Sequence, residues 1–255
     1  MCALHQDPPI PRKETMNTRP TRHSLSSILG ALVLSAGTLI LLLADCANAA
    51  IDPQDFVSRI DNPYFPLIPG TTYCYEGTTE GHPSSDVFAV THQTKQILGV
   101  TTTVIHDQGY VDGILAEDTL DWFAQDEDGN VWYFGEDTKE LDAQGNVIST
   151  EGSWQAGVDG ALPGIVMETQ PRVGDTYQQE FATGVAEDMA TVLSLRAKVK
   201  VPFGTFSQCL KTSEFTPLEP GSLEYKFYAP GIGFISSVAS KGGRERFDLV
   251  DVVRD

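Results

Sequence analysis

The chain has 255 residues, with 35 acidic against 17 basic side chains and a formal net charge of −18. Such a charge repels phosphate backbones and anionic headgroups, which excludes nucleic acid and acidic membrane surfaces as partners. Hydrophobic residues make up 41% of the chain, enough for a core and too many for intrinsic disorder.

The N-terminal segment reads as an export signal. Residues 25–43, LSSILGALVLSAGTLILLL, form an uncharged apolar run preceded by Arg19, Arg22 and His23 and followed by Ala47-Asn48-Ala49. A basic region, an apolar region and a small-x-small site in that order define a secretory signal, with cleavage expected after Ala49. Met16 is a better start than Met1, because the signal pattern begins just after it. Two other readings compete. The apolar run is long enough to span a bilayer as an uncleaved anchor. Leu43-Ala44-Asp45-Cys46 also resembles a lipoprotein cleavage box, although Asp45 stands where small residues are usual. The expected compartment is the periplasm or the exterior, without stable membrane insertion once the signal is removed. Residues 1–49 hold four basic and three acidic residues, so 50–255 keep 13 and 32, a net charge of −19.

Residues 50–70 read as an extended leader. A short helix is expected near 53–60, followed by Asn62-Pro63-Tyr64-Phe65-Pro66-Leu67-Ile68-Pro69-Gly70, whose prolines forbid helix and central strand. Its Tyr, Phe and Leu are expected to pack on one end of the domain. From 71 to 255 the chain reads as one β domain. Runs rich in Val, Ile, Thr, Tyr, Phe and Trp are separated by turn residues. Strands are expected at 71–79, 84–96, 101–112, 114–125, 130–137, 175–183, 186–195, 205–214, 223–229, 232–239 and 244–253. Asp112-Gly113 is a two-residue hairpin signal. Asp126-Glu127-Asp128-Gly129-Asn130 and Asp142-Ala143-Gln144-Gly145-Asn146 place glycine where a turn needs positive φ. Connections this short imply antiparallel neighbours. About eleven such strands must close or stack to hide their edges, as an open barrel or a two-sheet sandwich. The stretch 148–172, rich in glycine, breaks this rhythm. It reads as irregular, with at most a helical turn at 154–161, and long irregular segments are often functional.

Of the four cysteines, Cys2 and Cys46 leave with the signal. Cys74 and Cys209 form an even pair in an oxidising compartment, and a disulfide between them is expected.

Candidate chemistry is sparse. Asp126-x-Asp128-Gly129-Asn130 spaces oxygen ligands as calcium prefers, but it lacks the later ligands of an EF-hand and also fits a plain hairpin turn. Asp121 and Glu136 lie on adjacent expected strands, where paired carboxylates could act as acid and base on a glycoside. Trp122, Trp132 and Trp154 offer faces for stacking beside Glu136, Glu180, Glu187 and Asp188, which together define a candidate ligand site. Solvated acidic strands and core tryptophans would look the same. His82, His92 and His106 show no metal-binding spacing. There is no nucleophile elbow and no phosphate-cradling loop.

The motifs DWFAQDEDGNVWYFGED, EGSWQAGVDGA and YAPGIG, within residues 62–250, resemble a group of exported bacterial β-domain proteins. The resemblance implies an exported β fold and brings no activity with it.

These residues point to a non-catalytic binding module for a small neutral or amphipathic molecule or a divalent cation. The alternatives are an acidic carboxylate-dependent hydrolase and an envelope structural protein. N-terminal sequencing of the secreted protein should return Ala50 as the first residue; Cys46 bearing lipid would establish the lipoprotein route instead.

Overall fold

In the computed structural model of the protein, residues 51–241 and 245–255 are described. The expected signal peptide at 1–49, including Met16 and Cys46, lies outside them. The sheet grows from sequence-local hairpins. β1 (Phe56–Val57) belongs to the leader; β2 (Thr71–Thr79), β3 (His82–Ile97), β4 (Val100–Val111), β5 (Ile114–Asp126) and β6 (Val131–Leu141) form a meander. At its hairpins Asp112 and Gly113 take φ of 51° and 76°, the positive pair that matches the twist of a two-residue hairpin. β7 (Val147–Ser149), β8 (Trp154–Gln155) and β9 (Leu162–Met167) all pair with β6. β10 (Thr176–Gln178), β11 (Glu180–Phe181), β12 (Met189–Val201), β13 (Gly204–Phe215), β14 (Leu223–Ala229), β15 (Gly233–Lys241) and β16 (Arg246–Arg254) complete the order.

The hydrogen-bonded path runs β10-β12-β13-β14-β15-β16-β2-β3-β4-β5-β6-β9-β11, antiparallel throughout. Its two ends, β10 and β11, are separated in sequence by Gln179 alone. One segment therefore pairs with β12 through Thr176–Gln178 and with β9 through Glu180 and Phe181. That segment brings the sheet round into a nearly closed barrel. The closure is tight. A Cβ built on Gly164 of β9 would stand 2.3 Å from the Gln179 carbonyl oxygen and 2.5 Å from its carbon. Only glycine lets the two backbones meet there.

The leader caps one end. Gly231 N–H donates to the Pro63 carbonyl, and Leu67 N–H to that of Ile60. Asn62, 2% exposed, is the fastening point. Its side-chain nitrogen donates to the Gly129 and Glu168 carbonyls, its oxygen accepts from Tyr64 and Phe65 N–H, and its own N–H reaches the Gln125 side chain. Thus anchored, Phe65 turns inward, edge-on to Phe123 at 5.6 Å and Tyr228 at 6.2 Å. Burial of such a ring contributes roughly 2–3 kcal/mol. Outside the barrel, Phe56 packs edge-on against Trp132 and Phe134.

Each of the eleven expected runs contains strand, but the described residues hold sixteen strands. The excess consists of β1, β7, β8 and β9, with the expected run 175–183 divided into β10 and β11. Propensity does not mark these short pieces, whose pairing depends on long-range partners. Stretch 148–172 is consequently irregular only in part: between its turns β9 is a full barrel strand despite Pro163 and Gly164. The helix expected near 53–60 shrinks to a 3-10 turn at Pro53–Asp55 capped by Asp52. The helical turn at 154–161 is absent, because Trp154 and Gln155 pair with β6. No helix among the described residues is long and apolar enough to cross a membrane.

The expected Cys74–Cys209 disulfide does not form; Cys209 is a free, fully buried thiol. β14, β15 and β16 lie between the two cysteine strands. Four strand spacings of about 4.8 Å put them far apart along the sheet, beyond the Cα separation of about 7 Å that a disulfide can bridge. Compartment and an even count say nothing about this distance.

Replacing Gly164 with alanine should open the β9–β11 closure. The expected loss is about 3 kcal/mol, measurable by denaturant unfolding. The same change at exposed Gly145, with no atom within 4 Å of a built Cβ, should lose much less, through its positive φ of 81° alone.

Candidate functional site

The barrel interior is not filled. A cavity of about 360 Å³ lies between the leader cap and the opposite end, near the small limit of ligand sites. The strand alternation that buries Tyr73, Tyr75, Phe88, Phe123, Tyr133, Tyr228, Phe234 and Phe247 along its wall also turns polar residues inward. Phe123 and Tyr133 stack at 4.5 Å, and Tyr75 lies 5.1 Å from Phe234. Among the lining residues are seven carboxylic acids (Asp86, Asp107, Glu180, Asp188, Glu214, Glu224 and Glu245) and one base, Lys226.

Lys226 is already committed. Its Nζ lies 2.8 Å from Glu214 and 3.7 Å from Glu224. Glu214 also accepts from the hydroxyls of Tyr228 at 3.1 Å and Thr212 at 2.8 Å. Burial works to lower the Lys226 pKa, but the two glutamates outweigh it and hold the group well above its ordinary value. A buried pair so fully hydrogen-bonded is costly to break from one side.

The other interior acids make no ion pair with Lys226. Burial, then the neighbouring Asp121 and Glu117 charges, pushes Asp86 up to about 6, against a hydrogen bond with Asp107 that works to lower it. Asp107 stands well above its ordinary range, through burial first and Asp86 second. Burial and then Asp188 push Glu180 to about 8. Asp188 is raised by burial despite Lys226 and a hydrogen bond with Thr216. At the end away from the leader, burial and then Glu224, Glu80, Glu117 and Glu219 raise Glu245. Glu224 and Glu245 line the cavity there, with Glu80, Glu117 and Glu219 within electrostatic reach.

The residues singled out from sequence divide. Glu180 and Asp188 line the cavity. Asp121 and Glu136 are direct cross-strand partners, but neither is among the residues lining the cavity. Tyr133 donates its hydroxyl to Asp121 at 2.6 Å. Burial, then Asp107, pushes Asp121 to about 8; burial, then Asp121 and Glu180, pushes Glu136 to about 9. Trp154 meets Tyr133 edge-on at 5.5 Å. Trp122 lies under the Lys95 ammonium at 3.2 Å, and Trp132 donates its indole N–H to Asp126. None of the three tryptophans lines the cavity. Glu187 accepts the Gly184 N–H in an exposed turn.

The 126–130 loop is a hairpin turn knit by its own hydrogen bonds. Asp126 accepts from the Asn130 backbone and side-chain nitrogens, while Asn130 Oδ1 accepts from Thr169 N–H. The oxygens that a cation would need are thereby engaged, and Asp128 makes no third ligand with them. No set of three His, Cys, Asp or Glu side chains among the described residues is gathered as metal ligands. His82 and His106 pair instead with Asp112 and Asp118.

Sequence reading passed over Asp86, Asp107, Glu214 and Lys226. Their positions carry a usable signal, since Asp86 and Phe88, or Lys226 and Tyr228, share one face at spacing two. Charged residues at every second position ordinarily mark the wet face, and only closure makes it the inner one.

No family model matches the chain, and no curated protein matches it. Among solved structures, one similar chain is a Bacteroides fragilis protein described as exported, with a YmcC-like fold. It is 16% identical, covers 75% of this chain and 99% of its own, and has a TM-score of 0.43. Another is a Parabacteroides distasonis protein described as a lipoprotein, 12% identical, covering 74% and 97%, with a TM-score of 0.37. Likeness at this level carries no functional argument, which rests on the residues above.

The raised carboxyls fix a pH dependence. Their neutral forms suit the folded state, so the stability they contribute is present below the ordinary carboxyl values of 3.8 and 4.5. It is lost as pH rises through about 8 and 9. The melting temperature should therefore fall between pH 6 and pH 9. Asp121→Asn keeps an acceptor for Tyr133 and removes one titration, so its fall should be shallower, by roughly 3 °C for each 1 kcal/mol of linkage removed.

Proposed function

We propose that the chain is an exported, non-catalytic binding module that takes a small amphipathic molecule into the barrel. The observation behind this reading is the cavity: an aromatic wall that can cover an apolar body, set with carboxyl groups that can fix a polar one. The apolar run at 25–43 and the small-residue site after it support export. A calcium site at 126–130 is not part of the proposal, because that turn consumes its own oxygens.

The hydrolase alternative fits the geometry less well. Acid–base cleavage of a glycoside needs one carboxyl ionised and one protonated, with environments that push their pKa values apart. Asp121 and Glu136 are pushed the same way, to about 8 and about 9, and neither reaches the cavity surface.

Native mass spectrometry of the protein purified from the periplasm tests the binding reading. A non-covalent organic mass that disappears on denaturation is expected. A bare chain mass, together with hydrolysis of a glycoside that Glu136→Gln abolishes in a folded protein, would instead establish the enzyme.

A further inference from the structure

The interior is asymmetric in its charges, and among the cavity-lining residues one buried polar atom is left over. Lys226 is satisfied by Glu214 and Glu224. Asp86 Oδ1, by contrast, is shielded from bulk solvent and has no hydrogen-bond partner. It belongs to a residue of the cavity lining, on the same face of the sheet as Tyr75, its cross-strand partner in β2, and Phe88 two residues on. Phe234 closes against Tyr75 from β15. A buried carboxylate oxygen without a donor is costly, and the chain leaves it so beside three aromatic rings. Carboxylate plus aromatic faces is the surrounding that an ammonium group prefers over water.

We propose, resting on the binding reading above, that the ligand is an organic cation. Its ammonium is held at Asp86 and its apolar body lies against Tyr75, Phe88 and Phe234. At the far end Glu224 and Glu245 line the cavity, and Glu80, Glu117 and Glu219 act electrostatically on Glu245, so the negative potential there favours cations over anions. Burial raises Asp86 only to about 6, so near neutral pH it supplies charge, whereas Asp107, which hydrogen-bonds it, is pushed well above its ordinary range. An organic cation fits better than a metal ion, since no three ligating side chains among the described residues converge.

Three probes of one shape separate the outcomes: tryptamine, its neutral alcohol analogue tryptophol, and indole-3-propionate. Each is titrated into the secreted protein at pH 7.5 by calorimetry, with Asp86→Asn in parallel. Tryptamine should bind about tenfold or more tightly than tryptophol, and indole-3-propionate should not bind. Asp86→Asn should erase the preference for the amine and leave tryptophol binding in place. Equal binding of amine and alcohol, or an amine preference that survives Asp86→Asn, overturns the cation inference and leaves the cavity reading standing. Displacement of tryptamine by calcium also overturns it, in favour of a metal. Failure of all three probes to bind overturns the cation inference and leaves the binding reading to the native mass. If Asp86→Asn does not fold, the amine-to-alcohol ratio of the unaltered protein decides.

Discussion

The structure depends on one constraint: the sheet must come round upon itself. A sheet of long strands with free edges would expose two rows of unpaired N–H and C=O groups. Here one segment, Thr176 to Phe181, serves both ends of the path, bonding β12 with one half and β9 with the other. The bare Cα of Gly164 permits the contact with Gln179. Closure settles the pairing, and it also divides every strand into a face that sees the interior and one that does not.

That division sets the electrostatics. Side chains that would be solvated on an open sheet are drawn into a confined space, where charge is penalised. The chain answers in three ways. Lys226 neutralises Glu214 within a hydrogen-bonded group that includes Tyr228 and Thr212. Asp121 takes the Tyr133 hydroxyl. Asp107 and Glu180 answer by binding their protons more tightly, each raised above its ordinary range by burial. Asp86 alone among the lining acids has a buried oxygen for which no partner is supplied. A barrel whose interior were meant only to be filled would place leucine or valine there; this one holds space, rings and acid instead.

The leader ties fold to site. Asn62 fastens it to the 126–130 turn and to the end of β9, and this fixes Phe65 and Leu67 as the floor of the cavity. The Asp126 turn, which from its spacing could have held a cation, serves as a hydrogen-bonded anchor within the same cap. Its acid and amide groups are spent on backbone N–H groups and on the Trp132 indole.

Much of the fold was legible along the chain. Alternation and turn chemistry located β2 to β6 and β13 to β16 to within four residues, and β12 less closely. Asp112-Gly113 announced its hairpin, and the prolines of 62–70 announced an extended cap, because these signals are local and a few residues contain their whole physical cause. The adjacency of Asp121 and Glu136 followed in the same way, from a single hairpin. Tertiary structure alone decided the rest. β9 exists because β6 and β11 flank it, not because LPGIVM favours a strand. Cys74 and Cys209 are kept apart by three intervening strands. The tryptophans stand away from the cavity while Asp86, Asp107 and Lys226 face it. Which face of a strand is inside depends on how the sheet closes, and closure is made by strand pairs eleven to nineteen positions apart. A period of two shows that a strand has two faces; only the barrel decides which of them is dry.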